Sequence, residues 1–388
     1  MEISREVSKL QYSLIRALNE ESRKYSDAVD LTIGEPDIPS PKELITEALQ
    51  YGTEHQLRYP PTGGGEKIRL LVADYYNRKY GSSYIPDNVI INVGASEALS
   101  SCLRTILNPE EEVMIPAPFY PGYPPMINLC YAKTIFMDIT KTDFKITAEL
   151  LEENYSDKAK AILLSNPCNP TGNVLTLEEM NIVVDFVEKR DIFLIADEIY
   201  SELAFYNFHS FSSFDRIKDK LIVINGFSKS HSMTGWRIGY TIFPLEYRRN
   251  FLNTTLYTLS SPMALSIVAG EVALEKFEDR SELMNIYKER ALYMKNALTE
   301  LGFNVVEPKG AFYIFAEYSA VSELNSFDFA MDMLKKVQVA VVPGISFGTE
   351  KYFRISLTVD IPKLEKAVKR IRKYVEENRN NSEISFEI

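Results

Sequence analysis

The chain is 388 residues long, 45% hydrophobic and 25% charged, with a net charge of −11. That length predicts about two domains rather than one core. The acidic balance argues against nucleic acid as a main partner, because phosphate backbones are bound by basic surfaces. Cys102, Cys130 and Cys168 are too few and too scattered for a disulfide framework, and His55, His209 and His231 lack metal-ligand spacing. No apolar run is long enough to span a membrane, and the charged start MEISREVSKLQYSL lacks a secretory apolar core. A cytoplasmic protein with no metal, membrane or nucleic-acid partner is expected.

In chain order, TIGEPD (32–37) and RYPPTGGG (58–65) are the first turn segments. The glycines of the second lack the spacing of a dinucleotide fingerprint and instead mark a turn ahead of a helix. VIINVG (89–94) predicts a strand and residues 96–107 a helix. EVMIPAP (112–118), AKTIFMDI (132–139) and AILLSN (161–166) are further strands, and residues 177–190 an amphipathic helix. IFLIAD (192–197), LIVING (221–226) and RIGYTIF (237–243) complete the set. Near-continuous apolar runs are how strands buried on both faces read, and their alternation with helices predicts a doubly wound, mostly parallel α/β sheet.

After Ser260 the pattern changes. A long helical stretch covers 263–301, then GAFYIFAEY, AVVPGISF and FRISLTVD read as strands, and a final helix covers 362–378. This predicts a smaller α+β domain. The expected division is a large α/β domain over 45–265 and a small one from 1–44 plus 266–388.

Ligands of open α/β sheets bind beyond the carboxyl ends of the strands. Asn169 (in NPCNPTG), Asp197 with Tyr200 (in DEIY), and Lys229 (in NGFSKS) each follow a predicted strand, and Arg237 precedes the next. Singly these are ordinary: a turn, a helix cap, a loop lysine. Together they supply what pyridoxal phosphate needs, namely an amine, an acid for the pyridine nitrogen, donors to the ring hydroxyl and a phosphate cradle.

The ordered set NPCNPTG, ADEIYSEL and GFSKSHSMTGWRIGY resembles the class I/II aminotransferases of the fold-type I pyridoxal-phosphate family. The likeness runs from TIGEPD to FRISL (353–357), and YPGYPPMINLCYAK is similar to the N-acetyl-diaminopimelate and aromatic subgroup. The resemblance implies pyridoxal 5'-phosphate held by Lys229 as a Schiff base, with Lys229 then moving the substrate proton. It implies Asp197 on the pyridine nitrogen, Asn169 and Tyr200 on the ring hydroxyl, and Tyr120 stacked on the ring. It implies Arg237 and the backbone N–H groups of Ala95 and Ser96 on the phosphate, the latter at a helix N-terminus. Arg354 resembles the arginine for the substrate α-carboxylate and Gly34 the glycine that closes over it. Tyr59 resembles a tyrosine that reaches the phosphate of a partner subunit, implying a homodimer with shared sites. Gly226 departs from the pattern, because many relatives carry a serine there; Ser228 stands nearby as a phosphate ligand.

The expected activity is ping-pong transamination between an amino acid, with glutamate as donor, and a 2-oxo acid. The partner substrate is an N-acetyl-diaminopimelate precursor, an aromatic or aspartate. Ser96 stands where some acidic-substrate relatives carry a lysine, which weakens an aspartate-only reading. A β-lyase on the same site is the alternative reaction. A non-enzymatic sensor would carry an added DNA-binding domain, and about thirty residues ahead of TIGEPD are too few for one.

Overall fold

The computed structural model describes residues 3–386, with side chains to residue 378. Its strands are β1 (Val29–Asp30), β2 (Val89–Asn92), β3 (Glu112–Ala117), β4 (Lys133–Asp138), β5 (Ala159–Ser165), β6 (Phe193–Asp197), β7 (Leu221–Gly226) and β8 (Gly239–Ile242). β9 (Asn304–Val305), β10 (Tyr313–Glu317), β11 (Val339–Ala340), β12 (Val342–Pro343) and β13 (Tyr352–Ser356) follow. A seven-stranded sheet runs in the order β2-β8-β7-β6-β5-β3-β4. β6 and β7 are buried almost throughout, which explains their uninterrupted apolar sequences. Between β5 and β6 lies the helix Leu177–Arg190, as expected; Thr176 and Glu179 cap its start reciprocally, with each side chain taking the other's backbone N–H at 3.2 and 2.9 Å.

One strand runs against the rest. β8 is antiparallel to both β7 and β2, whereas β3, β4, β5, β6 and β7 pair in parallel. A parallel partner is usually reached through a crossover α-helix, and the twelve residues 227–238 between β7 and β8 contain no α-helix. The reversal brings the N-terminal end of β8, and Arg237 with it, to the edge where the other strands end.

The remaining strands form two small sheets, antiparallel β12-β13-β10-β9 and the parallel pair β1-β11. The N-terminal segment therefore returns to join the C-terminal part of the chain. The helical stretch expected over 263–301 is two helices, Ala264–Lys276 and Ser281–Glu300, interrupted at the polar FEDR segment. The expected division at 265 falls in the first turn of Ala264–Lys276, whose Ile267, Val272 and Ala273 bury with the large sheet. The last helix, Ile361–Phe386, continues past the expected end at 378. Among the described residues no helix is long and apolar enough to cross a membrane.

Candidate active site

Three consecutive strand ends open on one cleft of about 520 Å³, within the range of small-molecule sites. Ser165 closes β5 and leads to Asn169, Asp197 closes β6, and β7 leads into the loop that carries Ser228 and Lys229. Gly34, Ala95, Ser96, Tyr120, Asn169, Asp197, Tyr200, Ser228, Lys229, Arg237 and Arg354 all line it. Tyr59, also expected to serve a phosphate, lies elsewhere. It is 89% exposed, on the segment before the helix Glu66–Tyr80.

Two opposite charges face this cleft without an ionic partner. Asp197 is 4% exposed and pairs with no cation among the described residues. Its Oδ2 accepts from the Tyr123 hydroxyl at 2.7 Å and its Oδ1 from the Ile199 N–H at 3.2 Å. Burial pushes its carboxyl up to about 6, against those two hydrogen bonds and Lys229, which lower it. Arg354 is 2% exposed. Its Nη1 donates to Asn169 Oδ1 at 2.9 Å and its Nη2 to the Thr32 carbonyl at 2.6 Å. Its Nε is buried with no partner, and the guanidinium lies 4.3 Å from the Tyr313 ring centroid. Burial lowers its pKa, and no carboxylate compensates it. An unpaired buried charge costs several kcal/mol, about 3–5 where a partner has been removed. A ligand with a cationic end for Asp197 and a carboxylate for Arg354 offsets both.

The other polar groups surround that pair. Lys229 Nζ donates to the Gly34 carbonyl at 2.8 Å. Burial lowers its pKa to about 8, with Arg237 and Arg354 adding to the shift and Glu35 and Asp197 opposing it. Because Asn169 Oδ1 accepts from Arg354, its amide nitrogen is the donor left for the cleft. The Tyr200 hydroxyl lies 2.8 Å from that of Tyr313, and burial holds both phenols protonated, well above the ordinary value for Tyr200. A Cβ on Gly34 would stand 2.0 Å from the Tyr313 hydroxyl, so only glycine lets the loop close here.

The anion-binding end is built on the helix Gly94–Ile106. Its N-cap, Val93, gives no side-chain cap, and Ala95 and Ser96 in its first turn line the cleft. Arg237 crosses this terminus, held by the Thr234 carbonyl at 3.0 Å. The Gly226 departure has a local cause: a Cβ there would meet the Gly239 Cα of β8 at 2.7 Å. β7 and β8 approach too closely for serine, and Ser228, buried and lining the cleft, is the hydroxyl that remains.

The sequence reading missed Tyr123, Tyr313, Thr32, and the cleft-lining Arg16, Asn19 and Arg23. Tyr123 carried a signal, standing three residues after Tyr120 in FYPGYP. The N-terminal helix Leu14–Ser22 carried none, since its approach to the cleft depends on β1 pairing with β11.

A family model of aminotransferases of class I and II matches residues 26–371. The chain belongs to that family. A probable N-acetyl-LL-diaminopimelate aminotransferase of Bacillus subtilis is 37% identical over 374 residues, covering 95% of each chain. Aromatic-amino-acid aminotransferase 2 of Thermococcus litoralis is 32% identical over 98% of this chain and 100% of its own. Among solved structures, an aspartate aminotransferase from Thermus thermophilus with maleate matches with a TM-score of 0.91 at 28% identity, covering 96% of this chain and 100% of the other. The protein is therefore a transaminase that uses pyridoxal 5'-phosphate, and these relatives favour transamination over the β-lyase alternative.

Proposed function

We propose that this aminotransferase takes the amino group of glutamate and gives it to a 2-oxo acid, the 2-oxo counterpart of an N-acyl-diaminopimelate, of an aromatic amino acid or of aspartate, with Lys229 as the amine that holds the cofactor. What supports the reading most is the pair of unpaired buried charges, Asp197 and Arg354, facing one cleft.

The residues fit the cofactor on chemical grounds. Asp197 is an anion with no counter-charge, suited to a protonated pyridine nitrogen. Tyr123 is a positioning residue that orients the carboxylate. Asn169 and Tyr200 would hold the ring hydroxyl, and Tyr120 would pack against the ring. Arg237, Ser228 and the N–H groups of Ala95 and Ser96 form the phosphate cradle. When bound, pyridoxal phosphate supplies an electron sink for charge developing at the substrate Cα. Arg354 grips the α-carboxylate through its planar fork, and its orphaned Nε is free for that bond. Gly34 then covers the carboxylate. Lys229, with its pKa lowered to about 8, keeps a neutral fraction near pH 7 and can take a proton from Cα and return it.

The same reading makes the protein a homodimer. Tyr59 at 89% exposure is an unusually open aromatic, and a place against a second subunit's phosphate accounts for it. Sedimentation as a fully active monomer would refute this part. All three cysteines are free, which fits a cytoplasmic home.

The decisive experiment is borohydride reduction of the purified holoenzyme followed by peptide mapping. The cofactor is expected on Lys229, and Lys229→Ala is expected to abolish turnover while the protein still melts cooperatively. A label on another lysine rules the assignment out. A panel of amino donors read as half-reaction spectra then ranks the substrates.

A further inference from the structure

Once the proposed roles are filled, three charged groups in the cleft have no assignment, and one of them, Glu35, accepts a hydrogen bond from Thr234 and raises the pKa of Lys229. Asp197 is matched by the ring nitrogen, Arg237 by the phosphate and Arg354 by the α-carboxylate. Arg16 and Arg23 line the same cleft and remain. They lie three residues before and four after Asn19, a spacing that puts all three on one face of the helix Leu14–Ser22 and its C-cap. All three line the cleft. Both arginines are exposed, and neither guanidinium takes part in a hydrogen bond or ion pair among the described residues. The chain as a whole is acidic at −11, so two free arginines at one cleft run against the general balance.

We propose that Arg16 and Arg23 bind the distal carboxylate of dicarboxylic amino acids and 2-oxo acids. The inference rests on the reading of Arg354 as the α-carboxylate site. One element that lines the cleft carries two arginines with no ionic partner among the described residues. The N-terminal helix is that element.

The helix is held in register with Arg354. Asn19 Nδ2 and Ser22 Oγ donate to Asp30 Oδ2 at 2.5 and 2.9 Å. Asp30 Oδ1 accepts from Thr32 N and Oγ1 at 2.9 and 2.6 Å. The Thr32 carbonyl in turn accepts from Arg354 Nη2 at 2.6 Å. A single, partly buried linkage thus connects the element presenting Arg16 and Arg23 to the group that fixes the other end of the substrate. An arginine fork matches a carboxylate by two parallel hydrogen bonds. Because both arginines are at the mouth, a substrate without a distal charge leaves them solvated at little cost. The subsite favours dicarboxylates without excluding neutral or aromatic partners.

The test compares glutamate with glutamine, its neutral near-isostere, in half-reactions of the holoenzyme. Arg16→Gln combined with Arg23→Gln is expected to lower kcat/KM for glutamate about tenfold or more, through KM, and to leave glutamine unchanged. Lysine at both positions is expected to restore part of the loss. In the wild type, added salt is expected to shrink the preference for glutamate, since exposed charges are screened. Equal losses for glutamate and glutamine, or no loss for glutamate, overturn the proposal; melting curves confirm that the variants fold. The underlying reading fails separately, when Arg354→Lys spares the donors that the wild type converts.

Discussion

At the floor of the cleft Asp197 and Arg354 are buried and Lys229 half-buried, while at its mouth Arg16 and Arg23 are exposed. The floor charges are each held by two or more directed contacts, or shifted from their ordinary values by loss of water. Arg16 and Arg23 are held by nothing but the helix that carries them. A buried ion without its partner costs several kcal/mol, and an exposed one close to nothing. The floor is therefore where binding a complementary ligand releases most free energy, and the chemistry belongs there. The mouth can change its charges without touching the core, so selection among substrates belongs there.

The floor gives the largest expected effect. Asp197→Asn keeps an acceptor for the Tyr123 hydroxyl and nearly the same volume, but removes the negative charge. Turnover is expected to fall on the order of a thousandfold, if charge on the ring nitrogen is what stabilises the transition state. The cofactor-free variant should melt no lower than the wild type, because the substitution removes an unpaired buried anion. A near-normal rate would mean that something else holds the ring nitrogen, and would erase the distinction drawn for the floor.

Arg354→Lys probes the other floor charge. Lysine keeps the charge and loses the fork, the contact to Asn169 and that to Thr32. A loss of kcat/KM of roughly tenfold to a hundredfold is expected, equal for every amino donor, because all carry an α-carboxylate. A loss confined to dicarboxylic donors would move Arg354 to side-chain recognition and blur floor with mouth.

Much of the floor was legible in the sequence because each of its residues lies next to an apolar strand whose end can be read. Asp197 ends β6, and Asn169 and Lys229 come a few residues after β5 and β7, so the sheet sets their neighbourhood. Arg237 was legible as a residue, but the direction of β8 was not, since apolar periodicity is the same for parallel and antiparallel strands. Tyr123 and Tyr313 reach the site through tertiary contacts, 74 and 113 residues in sequence from the groups they bond. Arg16 and Arg23 were invisible for the same reason. Their place depends on β1 pairing with β11, more than three hundred residues on. Tyr59 was read from motif alone, and a single chain offers it no partner.

The smallest effect, and the one that separates floor from mouth by electrostatics alone, is the pH dependence of cofactor capture. Only the neutral amine of Lys229 can attack the cofactor's aldehyde carbon. Burial, then Arg237 and Arg354, favour that neutral form and bring the pKa to about 8. About a tenth of the amine is then neutral at pH 7 and about nine tenths at pH 9. The rate at which the cofactor-free protein captures pyridoxal phosphate should rise about tenfold between those values and level off above, as followed by stopped-flow absorbance. A lysine at its ordinary value would keep rising past pH 10. The sign carries over to stability. The folded pKa lies below the unfolded one, so between about 8 and 10.5 the unfolded chain binds more protons. The stability of the cofactor-free protein should gain from this group as pH rises through that window. Glu35→Gln removes the leading influence that raises the pKa and should move the midpoint of capture to lower pH. Arg16→Gln with Arg23→Gln should leave that midpoint in place, because their charges are not among those that set it. A midpoint near 10 in the wild type would show that Lys229 feels water as the mouth residues do.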